Sequence, residues 1–82
     1  MASILITGAA RGIGLALTKR AIARGDTVFP TVRKEADKAK FGSHPNCHPI
    51  IMDVADTASV ENGFAEVDSL LAGKPLDVVI NS

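Results

Sequence analysis

The sequence predicts an α/β fold in which helices cover both faces of a parallel β-sheet. Four short runs are rich in apolar and β-branched residues, as buried parallel strands are: residues 3–7, 27–32, 49–52 and 76–81. The stretches between these runs have the lengths of helices, and strands that alternate with helices form parallel sheets. The 82 residues suffice for one small domain.

The composition excludes several classes of protein. Nine Lys and Arg residues balance nine Asp and Glu residues, whereas a protein that binds nucleic acid or anionic membranes concentrates basic charge. The single cysteine, Cys47, excludes an intrachain disulfide framework and favours a reducing compartment. No apolar run approaches the roughly 20 residues that cross a bilayer, and the N-terminus lacks the basic region of a signal peptide. We expect a soluble, cytoplasmic protein without nucleic-acid or membrane partners.

The first crossover predicts a helix over Gly12–Arg24 that ends at Gly25. Its residues are apolar almost all round, and such a helix is expected to be largely buried. The following strand contains Pro30, whose missing N–H would break a bond of a central strand, so we expect a bulge or an early end there.

The second and third crossovers differ in character. Residues 34–41 are short and charged, and we expect a helix there with a solvated face instead of a binding patch. That face comprises Glu35, Asp37, Lys38 and Lys40. The third crossover predicts a helix with Asp56 as its N-cap. Its apolar stripe comprises Val60, Phe64, Val67 and Leu71.

The clearest chemical motif is the glycine-rich segment between the first strand and the first helix, Thr7-Gly8-Ala9-Ala10-Arg11-Gly12-Ile13-Gly14. A pyrophosphate can bind main-chain N–H groups at a helix N-terminus, where the helix dipole favours negative charge. Larger side chains would block this approach, so Gly8, Gly12 and Gly14 provide turn geometry, access and close packing. Glycine is also the default turn residue, but the position between a strand and a helix favours phosphate binding.

Together with two later motifs, this segment resembles the cofactor fingerprint of the short-chain dehydrogenase/reductase family. Asp53-Val54, after the third strand, resembles the Asp and small apolar residue that hold the adenine in this family. Asn81 matches the first Asn of its Asn-Asn-Ala-Gly motif, whereas Ser82 departs from the second. The resemblance implies a Rossmann-like, doubly wound parallel sheet, truncated after the fourth strand, with strand order 3-2-1-4. Residues 1–82 would be the N-terminal part of one NAD(P)-binding domain.

The residues near the second strand favour NADP(H) over NAD(H). An acidic residue at the end of this strand usually binds the free ribose 2′-OH, but the sequence has Val32 and then Arg33, and the only nearby acid, Asp26, precedes the strand. A guanidinium instead pairs with a 2′-phosphate, and Arg11 resembles the second basic residue of NADP-preferring family members. Alternatively, both arginines are solvated surface charges. The expected cofactor-binding residues are Gly8, Ala10, Arg11, Gly12, Ile13, Gly14, Arg33, Asp53, Val54 and Asn81.

A metal site is not expected, although His44, Cys47 and His48 are candidate ligands. Zinc requires three or four convergent ligands, and successive strand residues point apart. Cys47 would be a nucleophile only beside an activating base, which the sequence does not identify. Ordinary burial of Cys47 is the simpler interpretation.

No catalytic residue is assigned. Carbonyl reduction needs an acid, which in the resembled family is a Tyr assisted by a Lys four residues later and a Ser, and this sequence contains no tyrosine. We therefore expect the catalytically incompetent N-terminal fragment of an NADP-dependent oxidoreductase, whose parent transfers hydride between nicotinamide and a carbonyl or alcohol substrate. The alternatives are a non-catalytic nucleotide-binding or interaction module and a structural domain that binds nothing. The fourth strand would form an apolar edge, a predicted site of homo-oligomerisation or aggregation.

Overall fold

The computed structural model describes all 82 residues as a four-stranded parallel sheet with helices on both faces. The strands lie in the order β3-β2-β1-β4, which confirms the predicted fold class and strand order. In chain order the elements are β1 (Ser3–Thr7), α1 (Gly12–Arg24), β2 (Thr27–Val32), a 3-10 helix (Glu35–Phe41), β3 (Ile50–Ile51), α2 (Thr57–Leu71) and β4 (Val78–Asn81). The bounds of β1, α1 and β2 are those predicted, whereas β3 and β4 are each two residues shorter.

Two apolar clusters lie on opposite faces of the sheet. One joins Ile6 and Val28 to Ala21 of α1 and Phe41 of the 3-10 helix. The other comprises Leu5, Phe29, Ile50, Met52, Val67 and Leu71, and so covers the face on which α2 packs. This alternation follows from the geometry of strands, in which successive side chains point to opposite faces.

Pro30 does not interrupt β2, so the expected bulge or early end is wrong. Pro30 pairs in register with Ile6, and β2 continues to Val32. Main-chain groups of alternate residues point to the same side of a strand, and both Val28 and Val32 bond the segment that contains β3. The missing N–H of Pro30 therefore faces that segment, and the bonds between β2 and β1 remain intact.

The helix α1 is less buried than predicted. Only Gly14, Thr18 and Ala21 are buried, and Ile13 is 75% exposed. One face of α1 packs on the sheet, and no further layer of this chain covers its outer apolar residues. The prediction was wrong because composition alone does not give the number of layers.

The helix α2 begins as predicted but packs on a slightly different face. The Asp56 carboxylate accepts a hydrogen bond from the Ser59 N–H at 3.3 Å, which confirms it as N-cap. Phe64 is 37% exposed, whereas Gly63 is buried. A β-carbon at Gly63 would lie 2.6 Å from Met52 Cε, so the helix approaches the sheet closely at this glycine. Phe64 consequently lies on the flank of α2.

The strand β4 lies at an edge of the sheet and pairs only with β1. Val78 and Val79 are 41% and 56% exposed, so the expected apolar edge is present. Neither α-helix of the chain combines the length and the apolar character needed to span a membrane.

Candidate functional site

A cleft of about 580 Å³ opens at the carboxyl ends of the strands. Its wall includes Thr7, Val32 and Asn81, the last residues of β1, β2 and β4, together with Met52, which directly follows β3. Open parallel sheets bind ligands at this edge, where the direction of successive crossovers reverses. The fold therefore directs the loop after β1 and the start of the 3-10 helix to one place.

The glycine-rich loop adopts a conformation that requires glycine at two positions. Gly8 and Gly12 have φ values of +60° and +61°, in the left-handed region that L side chains rarely adopt. A β-carbon at Gly12 would meet no atom within 4 Å. Gly12 thus leaves open space beside the first turn of α1.

Gly14 is required for a different reason, which is close packing. A β-carbon there would lie 2.5 Å from the carbonyl oxygen of Gly8 and 2.8 Å from Oγ of Ser82. The absence of a side chain lets α1 begin directly against the loop and the end of β4.

The N-terminus of α1 has no side-chain cap. Arg11 occupies the N-cap position with extended backbone, φ −163° and ψ 172°, and makes no capping hydrogen bond. The N–H groups of the first helical turn have no acceptors within the helix. Together with the helix dipole, these groups make the start of α1 suited to an anion.

Thr7 joins the start of the loop to β4. Its Oγ1 lies 2.7 Å from Oδ1 of Asn81, to which it donates, and accepts a hydrogen bond from the N–H of Ser82 at 3.2 Å. The two strands pair in register at Thr7 and Asn81. Asn81 therefore fixes the side of the cleft formed by β1 and β4.

Four basic side chains line the cleft. Arg11 and Arg33, which the sequence predicts as cofactor-binding residues, both lie on its wall, and so do Lys34 and Lys40, which the sequence did not predict there. The 3-10 helix begins only three residues after β2, and this short connection is the signal that could have placed Lys40 near the end of the sheet. The expected solvated face agrees with the exposure of both lysines: Lys38 pairs with Glu35 outside the cleft, and Lys40 is 45% exposed although it also lines the cleft.

Asp37 is the one acidic side chain on the wall of the cleft. The expectation that Asp26 is the only nearby acid is therefore wrong. Asp26 is buried at the opposite end of the sheet, where its Oδ1 accepts a hydrogen bond from Ala2. Asp37 Oδ1 lies 3.6 Å from Nζ of Lys40, which also donates a hydrogen bond of 2.9 Å to the carbonyl oxygen of Ala10.

The remaining selected residues lie around the cleft in different ways. Gly8, Ala10 and Val54 are on its wall, whereas Gly12, Ile13 and Gly14 form the first turn of α1 beside it. Asp53 is not on the wall. Its Oδ1 accepts a hydrogen bond from the N–H of Ala55 at 3.0 Å, and its own N–H donates to Ser59 Oγ. Asp53 thus belongs to the turn between β3 and α2, next to Val54.

Cys47 and its neighbouring histidines lie away from this cleft. Cys47 is buried, and its main chain forms an isolated parallel β-bridge with that of Val28. Burial raises the pKa of its thiol to about 11. The ring of His48 stacks on Phe29 with 5.5 Å between centroids. The chain has no group of three or more His, Cys, Asp or Glu residues that is arranged to hold a metal ion.

Comparison with known proteins places this architecture in a family. The family model described as short chain dehydrogenase matches residues 2–82. The NADPH-dependent 3-dehydrocapnine reductase of Ornithobacterium rhinotracheale is 32% identical over 80 residues, which are 95% of this chain and 28% of that protein. The 3-oxoacyl-[acyl-carrier-protein] reductase FabG of Salmonella typhimurium is 34% identical over 76 residues, 82% of this chain and 31% of that protein.

A solved structure shows the same similarity in three dimensions. The NADPH-bound carbonyl reductase from chicken fatty liver superposes with a TM-score of 0.85 and 34% sequence identity, over 94% of this chain and 34% of that one. The chain thus spans about a third of the length of these relatives. Its strand order, its glycine-rich loop and the family match over residues 2–82 show that the chain belongs to the short-chain dehydrogenase/reductase family.

Proposed function

We propose that this chain is the N-terminal, cofactor-binding part of an NADP-dependent short-chain oxidoreductase. The observation that carries the proposal is that Arg11 and Arg33 line one cleft with two lysines, whereas its single acid, Asp37, is paired with Lys40. Such a site favours an anionic 2′-phosphate over a neutral ribose hydroxyl. Two of the relatives described above are named as NADPH-dependent or NADPH-bound, which agrees with this preference.

The glycine-rich loop fits the diphosphate of a dinucleotide. The open space at Gly12 and the uncapped start of α1 admit a phosphate to main-chain N–H groups. In this assignment the amides from Gly8 to Gly14, including those of Ala10 and Ile13, surround the diphosphate. When bound, the dinucleotide would carry the hydride that the reaction transfers between nicotinamide and a carbonyl or alcohol substrate.

The other selected residues would hold the remaining parts of the cofactor. Arg11 and Arg33 bind the 2′-phosphate, and Asp53 with Val54 meets the adenine at the end of β3. Asn81 keeps β4 aligned with β1 through its hydrogen bond to Thr7, and so positions the wall of the cleft nearest the central strands.

Residues 1–82 would form the first part of one Rossmann-like domain in a cytoplasmic parent enzyme that acts on a small carbonyl or alcohol substrate. The chain spans about a third of its relatives' length and contains no tyrosine. The Tyr-x-x-x-Lys pair of the family would therefore have to lie outside these residues, and the chain by itself would bind cofactor without turning over substrate. We propose neither nucleic acid nor membrane as a partner.

Isothermal titration of the chain with NADPH and with NADH tests the proposal. Hydrogen bonds to charged groups contribute about 1.5–3 kcal/mol, so NADPH should bind at least about tenfold more tightly. Arg33→Ala should remove most of this difference in affinity, because it should weaken the binding of NADPH and leave that of NADH unchanged. Arg20→Ala, which removes an exposed arginine of α1 outside the cleft, is the matched control. Equal affinities of the unaltered chain for NADPH and NADH would refute the NADP assignment.

A further inference from the structure

Lys40 makes two contacts on the wall of the cleft, and the proposed function uses only one of them, the pairing with Asp37. Its Nζ donates to the carbonyl oxygen of Ala10 at 2.9 Å and lies 3.6 Å from Oδ1 of Asp37. The first contact holds the 3-10 helix to the glycine-rich loop. The second places a positive charge beside the one carboxylate of the wall.

Asp37, if its charge were not balanced, would favour NAD(H) over NADP(H). A carboxylate near the ribose accepts a hydrogen bond from a free 2′-OH and repels a 2′-phosphate. Asp37 is about a quarter exposed, 26%, so its charge can reach a ligand in the cleft unless a cation balances it. Lys40 is the cation in contact with it.

The Ala10 contact explains why Lys40 stays in place. An exposed lysine has many rotamers, and a single surface ion pair holds it weakly. The ammonium group has three donors, and here one of them is engaged by a main-chain carbonyl of the loop. This second anchor keeps the charge of Lys40 next to Asp37.

We propose that Lys40 is a positioning residue that sets the preference for the 2′-phosphorylated dinucleotide, because it neutralises Asp37 and is itself held by Ala10. This inference rests on the proposed function, since it concerns the selectivity of the same cleft. Selectivity is a difference between two affinities, and the removal of one repulsive charge is as effective as the addition of an attractive one.

The test compares dissociation constants for NADPH and NADH in five variants of the full chain. Lys40→Met should lower the NADPH preference by about fivefold, a size typical of one partly exposed charge. Lys40→Arg keeps the charge and should retain the preference. In the double variant Lys40→Met with Asp37→Asn, the uncovered carboxylate is gone, so most of the lost preference should return.

The remaining two of the five variants serve as controls. Lys38→Met removes a lysine of the same 3-10 helix that pairs with Glu35 outside the cleft, and should leave both dissociation constants unchanged. Asp37→Asn alone should not lower the preference, because the positive charge of Lys40 stays on the wall of the cleft when its partner carboxylate is removed. This last measurement does not depend on the folding of any Lys40 variant, which circular dichroism checks separately.

Three results would overturn the inference. In the first, Lys40→Met weakens the binding of NADPH and of NADH by the same factor, and Asp37→Asn does not restore it, so that Lys40 is only a structural tie. In the second, Lys40→Arg loses as much preference as Lys40→Met. In the third, Asp37→Asn alone lowers the preference as much as Lys40→Met does, so that the pair acts only as a structural tie and not through its charges. Failure of the unaltered chain to bind either dinucleotide would instead refute the proposed function itself.

Discussion

Replacing Gly14 with alanine should destabilise the chain, although alanine is the better helix former. The added β-carbon would lie 2.5 Å from the carbonyl oxygen of Gly8, 2.8 Å from Oγ of Ser82 and 3.1 Å from Cα of Ala9. Two of these three atoms belong to the main chain of the loop, which cannot yield by a change of rotamer. The start of α1 must therefore move away from the loop.

The size of the effect follows from two opposing contributions. Alanine gains about 1 kcal/mol over glycine in a helix interior, whereas overpacking of a filled site costs about 1–3 kcal/mol. Because the contacts at Gly14 involve main-chain atoms, we expect the cost to dominate, with a net loss of about 1–2 kcal/mol. For a domain of this size that lowers Tm by about 5–15 °C.

Gly63→Ala is the matched control, since Gly63 is also a buried glycine inside a helix. Its β-carbon would lie 2.6 Å from Met52 Cε, the mobile end of a flexible side chain, and 3.4 Å from its next neighbours. This methyl can move, so stability should be unchanged or raised by up to about 1 kcal/mol.

Urea unfolding followed by circular dichroism measures both variants, with the slope m checked to be constant. Titration with NADPH should show weaker binding by Gly14→Ala alone, since only this change displaces the glycine-rich loop. If Gly14→Ala were as stable as the unaltered chain, or if Gly63→Ala lost as much stability, the reasoning from close approach would be refuted.

Three further predictions concern single contacts. Asp56→Ala removes the N-cap that accepts a hydrogen bond from the N–H of Ser59 and should lower the free energy of unfolding in urea by about 1 kcal/mol. Asp56→Ser should recover most of this loss, and an unchanged midpoint in Asp56→Ala would contradict the capping role. Burial raises the pKa of the Cys47 thiol from 9.0 to about 11, so the folded state favours the neutral thiol, and the free energy of unfolding should fall as pH rises from about 9 to 11. Urea midpoints should lose this pH dependence in Cys47→Ala, and the same dependence of the midpoint on pH in both proteins would contradict the prediction. Thr7→Val keeps the shape of the side chain but removes the hydroxyl that is bonded to Asn81, so it should lower the free energy of unfolding by about 1–3 kcal/mol and weaken the binding of NADPH. Calorimetric affinity equal to that of the unaltered chain would show that this bond does not position the cleft.

The strands could be predicted because the relevant signals are local, whereas their order was predicted from the family resemblance. The bounds of β1 and β2 follow from continuous β-branched runs ended by turn residues, and the cap at Asp56 follows from one side chain at the start of an amphipathic pattern. The burial of α2 could not be predicted in detail. Helical spacing gives a direction, but the distance between helix and sheet decides whether Gly63 or Phe64 lies inside.

The candidate site was predictable where the chemistry lies in the main chain. The glycine-rich loop consists of consecutive residues, Arg33 directly follows the end of β2, and Arg11 was selected through the family resemblance. Lys40 and Asp37 were expected only on a solvated face, because a charged pair three residues apart on a short helix normally faces solvent. Only the packing of the 3-10 helix against the loop gives that pair a position on the cleft.

The hydrogen bond between Thr7 and Asn81 also imposes an order of assembly, because it joins residues 74 positions apart. At ribosomal rates of about 5–20 residues per second, roughly 4–15 s separate the synthesis of the two residues. Once β2 has been made, the nascent strand β1 can pair with it but still lacks its other neighbour. The glycine-rich loop, among the first segments translated, therefore gains the neighbours that β4 provides only after residue 81 has been made.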